Sequence, residues 1–305
     1  QPLLATSTDG VGTKVAIAAA MDVHNTIGRD LVAMVVDDLV VVGAEPLFMT
    51  DYIACGKVHP ERIAAVVTGI AQGCELAGCA LLGGETAEHP GLLGPDEYDV
   101  AGAGTAVVEA DAVLGPERVR AGDVLIAIAS SGLHSNGYSL ARKVLLTDAG
   151  WRLDRQVPEL GRTLGEELLE PTRIYARDLL RLRDQLGTGL HALSHITGGG
   201  LAANIARVLP SELAADVRRS SWDPPAVFRL IGEVGSVSTA DLECTFNMGI
   251  GMVAVTEPAV ADVAIRTLAA AGQPAWLCGE VRDRATGESG DAAAKGGGGG
   301  AVSVV

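Results

Sequence analysis

Aromatic residues are scarce: three Phe, three Trp and four Tyr make up 3% of 305 residues. Cores built without large rings must fill their volume with Val, Leu, Ile and Ala, which suits layers of helix and sheet. Cysteine is sparse as well, with Cys55, Cys74, Cys79, Cys244 and Cys278 showing no C-x-x-C pairing. An odd number without metal-ligand spacing argues against a disulfide framework and a structural zinc site, and most of these thiols read as small core residues. Positive charge is in deficit. Against 38 Asp and Glu stand 23 Lys and Arg, a formal net charge of −15 with a pI near 4.8. Such a surface repels phosphate backbones and anionic lipid, which argues against nucleic-acid and membrane partners. It still permits a small phosphorylated ligand, because a local loop and a divalent cation can reverse the sign of the field. No apolar run approaches the roughly 20 residues that cross a bilayer, and no signal-peptide pattern opens the chain at Gln1. The expectation is a cytoplasmic protein.

Hydrophobic residues make up 48% of the chain, enough for two domains with separate cores. Short β-like runs alternate with longer helical ones. Residues 2–8, 46–55, 79–83 and 98–108 read as strands, 26–42 as a helix with Thr26 as N-cap and Gly43 as stop, and 60–77 as a helix opened by Pro60. Residues 109–122 carry Pro116 and no period, and mark the domain boundary. Beyond it, strands are predicted at 123–129, 190–194, 249–255 and 275–281, and helices at 137–149, 172–186, 201–208 and 258–271. The pattern predicts a mixed α/β (α+β) chain of two domains, residues 1–112 and 113–305. The five-glycine run at 296–300 reads as a flexible loop.

Asp9-Gly10-Val11-Gly12-Thr13-Lys14 follows directly on the first strand. Two glycines let backbone N–H groups turn toward an anion, Lys14 adds a cation for phosphate, and Asp9 can bind a metal. The spacing is not that of a Walker A loop, and by itself the segment also reads as a plain β-turn. Asp30, Asp37 and Asp38 share the next helix, the last two between apolar neighbours where a carboxylate is costly without a cation. Asp51 interrupts an apolar stretch, and Glu85 follows the paired glycines Gly83 and Gly84. Scattered acids near a glycine-rich, lysine-bearing turn fit Mg²⁺–nucleotide better than a glycosidase pair, although any single one also fits a solvated or capping role.

In the second half, Ser130-Ser131-Gly132-Leu133-His134-Ser135-Asn136-Gly137-Tyr138 brings hydroxyls, an amide and an imidazole into one strand-to-helix loop. His134 is a candidate for proton transfer or for contact with a developing oxyanion, and equally reads as a structural histidine. Ser194-His195-Ile196-Thr197-Gly198-Gly199-Gly200 opens a helix where backbone can approach a phosphate, and Thr172 and Arg173 start another. Phe246-Asn247-Met248-Gly249-Ile250-Gly251-Met252 has the glycines of a strand bulge. Tyr138 and Trp222 read as packing residues.

Taken in order, STDGVGTK, TIGRDLVAMVVDDLVVVGAEP, GGETAEHPG, SSGLHSNGYSL, PTRIY, HITGGG and FNMGIGM resemble the aminoimidazole ribonucleotide synthetase (phosphoribosylformylglycinamidine cyclo-ligase) family across residues 7–252. The resemblance implies an N-terminal domain that binds ATP and Mg²⁺ and forms a shared β-barrel in a homodimer, followed by a C-terminal α/β domain. It implies ATP-dependent cyclisation of formylglycinamidine ribonucleotide to aminoimidazole ribonucleotide in purine biosynthesis. Carried over residue by residue, Asp9, Asp38 and Glu85 would hold Mg²⁺. Asp9, Gly10, Gly12, Thr13, Lys14 and Asp37 would meet ATP. His134, Asp38 and Asn136 would serve catalysis, and Ser135, Arg173, Thr197, Gly198, Gly199 and Gly200 the substrate. Two departures stand out. The glycine-rich segment that precedes the first strand in the family is absent from this sequence. Asp37 replaces an asparagine, which puts its role in doubt. Selenophosphate synthetase and thiamine-monophosphate kinase share the implied fold, but HSNGYSL, HITGGG and Glu85 depart from their patterns. A nucleotide-binding protein without catalysis is the remaining alternative, which substrate-dependent ADP release separates from the enzyme.

Overall fold

The computed structural model describes residues 1–305. Up to the boundary, the regular elements are β1 (Pro2–Gly10), α1 (Val15–Met21), α2 (Ile27–Val40), β2 (Glu45–Cys55), α3 (Pro60–Ala77), β3 (Ala80–Glu88) and β4 (Tyr98–Glu109). There follow β5 (Val124–Ala129), α4 (Tyr138–Arg142), β6 (Gln156–Val157), β7 (Arg162–Thr163), α5 (Leu164–Leu168), α6 (Ala176–Leu186), β8 (Leu190–His195) and α7 (Gly200–Ala206). The chain ends with β9 (Leu213–Val217), α8 (Ala226–Gly235), α9 (Thr239–Thr245), β10 (Ile250–Thr256), α10 (Ala261–Ala270), β11 (Ala275–Asp283) and β12 (Ala301–Val304). Helices and strands are mixed throughout, as the sequence pattern predicts. No helix is long and apolar enough to cross a membrane.

Two compact units divide these elements. The first comprises Gln1–Val40, Ala44–Asp111 and Ser131–Arg177. Its sheet has the order β1-β4-β2-β3, with β4 antiparallel to both β1 and β2 and β2 parallel to β3. Burial alternates along β4, where Tyr98, Val100, Gly102, Gly104, Ala106 and Val108 are covered. Leu31 packs over Gly102, and Val35 and Leu39 over Gly104, so α2 lies on that face. Twelve of the fourteen α2 residues are buried, so this helix is held by packing on nearly every side. The opposite face carries Leu4, Thr6 and Thr8 in register with Val107, Thr105 and Ala103, then Thr50 and Tyr52 beside Ala103 and Ala101. No layer covers it: Leu4 is 73% and Tyr52 41% exposed.

The second unit comprises Val41–Gly43, Ala112–Ser130 and Asp178–Val305. Its six-stranded sheet runs β12-β9-β11-β5-β10-β8, antiparallel except for β12 on β9. Val, Leu, Ile and Ala fill the core, among them Leu125, Ile196, Leu201, Ile205, Val217, Val253 and Val302. Each such buried aliphatic side chain contributes about 1.5–3 kcal/mol relative to exposure.

These units do not follow the single boundary at 112/113. Every strand of the first sheet precedes residue 110 and every strand of the six-stranded sheet follows residue 123, but residues 131–177 cluster with the first unit. The cause is a set of polar contacts to α2 described below. Local differences are instructive too. The helix predicted from 172 starts only at Ala176, and the one predicted over 137–149 becomes α4 followed by a π-helical stretch, Lys143–Asp148. Thr26 accepts through its carbonyl from Arg29 and Asp30, but its buried hydroxyl makes no hydrogen bond and caps nothing. β9, β12, α8 and α9 lay outside the sequence reading. Of the cysteines, Cys55, Cys74 and Cys278 are buried, Cys79 is half-buried and Cys244 is exposed.

Candidate functional site

The chemistry-bearing residues of the first unit centre on a buried ion pair. Lys14 and Asp30 are each fully buried, with Lys14 Nζ 2.8 Å from Asp30 Oδ1. The ammonium donates also to the carbonyl oxygens of Glu170 (2.6 Å) and His134 (3.1 Å), and it stands 5.6 Å from the Tyr138 ring. All three of its N–H bonds are thereby engaged. Burial pushes its pKa below the ordinary lysine value, with Asp30 pulling the other way. Lys14 was expected on ATP phosphates; in this structure it is an internal cross-brace instead, because the turn after β1 carries its side chain inward. Asp30 Oδ1 accepts further from the Thr172 backbone N–H (2.7 Å) and hydroxyl (2.6 Å), while its buried Oδ2 has no hydrogen-bond partner. The sequence reading placed Asp30 on the right helix but gave it no role.

Two turns further along α2, buried Asp37 receives the Tyr175 N–H on both carboxylate oxygens, at 3.0 and 3.2 Å. Asp30 and Asp37 together engage the backbone N–H groups of Thr172 and Tyr175, which keeps residues 172–175 out of the helix and starts α6 late. Asp38 points the other way and is exposed. The expectation that both acids meet a ligand therefore fails for Asp37, whose carboxylate is committed to backbone; only Asp38 faces solvent.

The His134 loop is folded onto the same scaffold. His134 is buried in the left-handed region (φ 63°), and its Nε2 accepts the Ser131 N–H at 3.1 Å, which puts any ring proton of the neutral form on Nδ1. Ser131 Oγ donates to the Pro171 carbonyl at 2.7 Å, and the Ser135 and Thr172 hydroxyls meet at 2.9 Å. Asn136 Nδ2 lies 3.9 Å from Met34 Sδ, and Tyr138 donates to Leu168 O at 2.7 Å. Ser135 thus meets Thr172 and the His134 ring stands 6.1 Å from that of Tyr175, with Nε2 of the imidazole already occupied.

The carboxylates expected to share one magnesium are not gathered. Asp9 on β1 pairs with Gly102, Gly102 with Asp51, and Asp51 with Gly84, one row across the sheet on the helix-covered face. Glu85 is one residue off that row, paired with Tyr52 on the open face. Asp9 and Glu85 stand on the two outer strands, three strand spacings or about 14 Å apart. Leu31 covers Gly102 in the Asp9 row, and Asp38, seven residues on, lies about 10 Å farther along the helix. No group of three or more His, Cys, Asp or Glu residues is arranged to hold a metal ion. Asp9 Oδ1 instead accepts the Gly10 N–H (2.7 Å), and Glu85 Oε1 the Thr86 N–H (2.9 Å). The expected Asp9–Asp38–Glu85 magnesium set is corrected on these grounds: the strand order separates its members. Asp51, outside that set, lies against Gly84 with its carboxyl pushed up by burial. Gly12 is exposed at φ 68° and Thr13 Oγ1 lies 3.4 Å from Ser139 Oγ, so this part of the turn faces outward.

In the second unit, Thr197 and the glycine turn are knit by Asn204, which donates to Gly200 O (2.7 Å), Thr197 O (3.3 Å) and Gly198 O (3.4 Å). Lys295 Nζ donates to Thr197 Oγ1 at 3.2 Å. Gly199 sits at φ 100°, and a Cβ on Gly200 would lie 1.7 Å from Glu243 O. Gly200 is required by the approach of α9 to α7, a packing reason rather than the expected ligand contact. Gly200→Ala is expected to lower stability by about 2 kcal/mol or more, measurable by urea denaturation; an unchanged midpoint would contradict this packing account. The bulge expected near Gly249–Gly251 appears as a register shift between Ile250 and Met252, with Asn247 Oδ1 accepting from Ser130 Oγ (3.2 Å) and Gly249 N (2.8 Å). Trp222 packs at the edge of the core and donates to Met248 O at 2.9 Å.

The chain is a mixed α/β protein whose loops after its strands carry hydroxyl, amide and imidazole groups. Residues 2–108 match the family described as AIR synthase related protein, N-terminal domain, and residues 120–291 match AIR synthase related protein, C-terminal domain. The chain belongs to this family. A phosphoribosylformylglycinamidine cyclo-ligase of Sorangium cellulosum (strain So ce56) is 52% identical over 281 residues, covering 92% of this chain and 81% of that protein. One from Shouchella clausii (strain KSM-K16) is 53% identical over 282 residues, with coverage of 92% and 81%. Among solved structures, hydrogenase maturation protein HypE in complex with ATP superposes with a TM-score of 0.68 at 18% identity, over 93% of this chain and 78% of that one, which shows a shared fold.

Proposed function

We propose that the chain catalyses ATP-dependent cyclisation of formylglycinamidine ribonucleotide to aminoimidazole ribonucleotide, releasing ADP and phosphate, as a cytoplasmic ligase of purine biosynthesis. The observation that carries this reading is the match at about half identity, across both domains, to curated cyclo-ligases. ATP as cosubstrate is further supported by the ATP complex of the structural neighbour HypE.

An amide oxygen is a poor leaving group. Its attack on the γ-phosphorus of ATP expels ADP and leaves the formyl carbon bearing a phosphate ester of the imidate. The substrate's own amidine nitrogen then attacks that carbon, the ring closes, and the C–O bond breaks to release phosphate with the former formyl oxygen. Little covalent chemistry falls to the protein, which orients two reactants and stabilises charge. Ser135, Asn136 and Arg173 are proposed to orient the substrate, with Thr197, Gly198 and Gly199 at its ribose phosphate. Asp9, Gly10, Gly12, Thr13 and Asp38 are proposed to face the nucleotide. Mg²⁺ would neutralise charge as a companion of the ATP phosphates, not as an ion caged by three carboxylates. His134 would take up the proton lost from the attacking nitrogen on Nε2, once the loop opens to release that atom from the Ser131 N–H. Lys14 and Asp30 hold the loops that carry these groups.

With a heavy-oxygen label in the formyl group, the released phosphate should carry the label. Unlabelled phosphate accompanied by product would rule out the phosphorylated-amide route.

A homodimer is proposed to pair the uncovered faces of two four-stranded sheets, burying Leu4, Tyr52 and Val107 and closing a barrel. Leu4→Glu is expected to shift the species seen by analytical ultracentrifugation from two chains to one. A single-chain mass for the unmodified protein would contradict the dimer.

A further inference from the structure

We infer that Cys74 and Cys79 are a peroxide-reactive dithiol that closes to a disulfide at the C-terminal end of α3. The helix terminates at Gly78 in the left-handed conformation (φ 84°), and the N–H groups of Gly78 and Cys79 both bond back to the Cys74 carbonyl, at 2.8 and 3.1 Å. This closure folds the residue after the glycine onto the last helical turn, a position where an apolar pair ordinarily meets. Here the pair is two thiols, Cys79 being brought back to Cys74 by its own backbone N–H. A disulfide requires Cα atoms within about 4.4–6.8 Å, and the doubled-back backbone returns residue 79 to the turn that carries Cys74.

The two sulfurs are not equivalent. Cys74 is 2% exposed, whereas Cys79 is half-buried and open to a small oxidant. The neighbouring Cys74 thiol, and after it the Arg177 charge, hold the Cys79 thiol below its ordinary range, while Cys74 is pushed up by Cys79 and by burial. The Arg177 side chain lies across Gly78, its Nε 2.8 Å from where a Cβ would stand, and adds positive charge beside Cys79. A stabilised, accessible thiolate backed by a buried second thiol is the arrangement of an attacking and a resolving cysteine.

In the step inferred, the Cys79 thiolate attacks one oxygen of hydrogen peroxide. The O–O bond breaks, Cys79 becomes a sulfenic acid, and the hydroxide released takes up a proton as water. Cys74 sulfur then displaces the sulfenic hydroxyl, which leaves as a second water while the Cys74 proton is transferred to it. Two thiols lose two electrons and two protons, and one peroxide is reduced to two waters. Since Cys79 leads directly into β3, the crosslink ties the entry of the strand bearing Gly83, Gly84 and Glu85 to the end of α3.

The test treats the full chain with limiting hydrogen peroxide, alkylates the remaining thiols, and maps tryptic peptides by mass spectrometry. Both cysteines fall in the peptide of residues 63–118, so the disulfide appears as unalkylated peptide lacking two hydrogens and restored by dithiothreitol. Cys244, which is more exposed, is the internal control. The expected result is loss of Cys79 thiol at least about tenfold faster than Cys244, since the thiolate is the reacting form. Cys74→Ser should leave Cys79 as a sulfenic acid trapped by dimedone. Alkylation of both Cys74 and Cys79 after peroxide, or oxidation of Cys244 first, would overturn the inference.

Discussion

Replacing Asp30 by alanine is expected to cost about 3–5 kcal/mol of folding stability, the largest effect of any single substitution considered for this chain. The reason is asymmetric. Lys14 is fully buried, and without Asp30 its ammonium keeps two carbonyl partners but loses its only contacting counter-charge. Thr172 loses the acceptor of both its N–H and its hydroxyl at the same moment. Asp30→Asn keeps the shape and one acceptor oxygen, and should fall between wild type and alanine. The double variant Lys14→Met/Asp30→Leu should recover much of the loss, since an apolar pair of similar volume removes two desolvated charges together. Denaturant titration of these proteins together with the single variants Lys14→Met and Asp30→Leu completes the cycle that reads the coupling. Equal losses for Asp30→Ala and the double variant would mean that the pair is not an electrostatic unit.

His134→Ala should lower kcat by about 10²–10⁴ if the imidazole transfers a proton. The structural contribution of this residue has to be separated, because its backbone is left-handed and its Nε2 accepts the Ser131 N–H. His134→Asn serves for that purpose. Asparagine tolerates the left-handed region and retains a side-chain acceptor, so it should preserve the loop better than alanine does. The account predicts that Asn restores stability toward wild type while turnover stays depressed. Recovery of turnover together with stability would reduce His134 to a loop-shaping residue.

The helical pattern that places three aspartates on α2 is legible in the sequence, but steps of seven and eight residues read coarsely as one face, and the structure buries Asp30 and Asp37 while exposing Asp38. Seven steps of a 3.6-residue helix bring Asp37 within about 20° of Asp30, whereas eight leave Asp38 about 80° away. That arithmetic separates an inward pair from an outward residue. It does not reveal what the inward pair meets, because Thr172 and Tyr175 come from a loop about 140 residues later in the chain. Lys14 was misread for the same reason: glycines and a lysine after a strand suggest a phosphate loop, and only the return of residues 131–177 to the first unit buries the side chain. The failed magnesium triad has a different origin. Each carboxylate occupies a plausible local position, but the order β1-β4-β2-β3 puts Asp9 and Glu85 on opposite outer strands, and sheet order is a long-range property. The second unit was legible where strands are largely apolar runs, as in β5 and β10. It was illegible at β9 and β12, whose few small residues carry no clear period.

ADP release, measured with and without formylglycinamidine ribonucleotide, addresses the assignment itself. The chain should release ADP only when that substrate is present, one ADP for each aminoimidazole ribonucleotide formed. ADP release unaffected by the substrate, or nucleotide binding with no turnover in its presence, would contradict a cyclo-ligase.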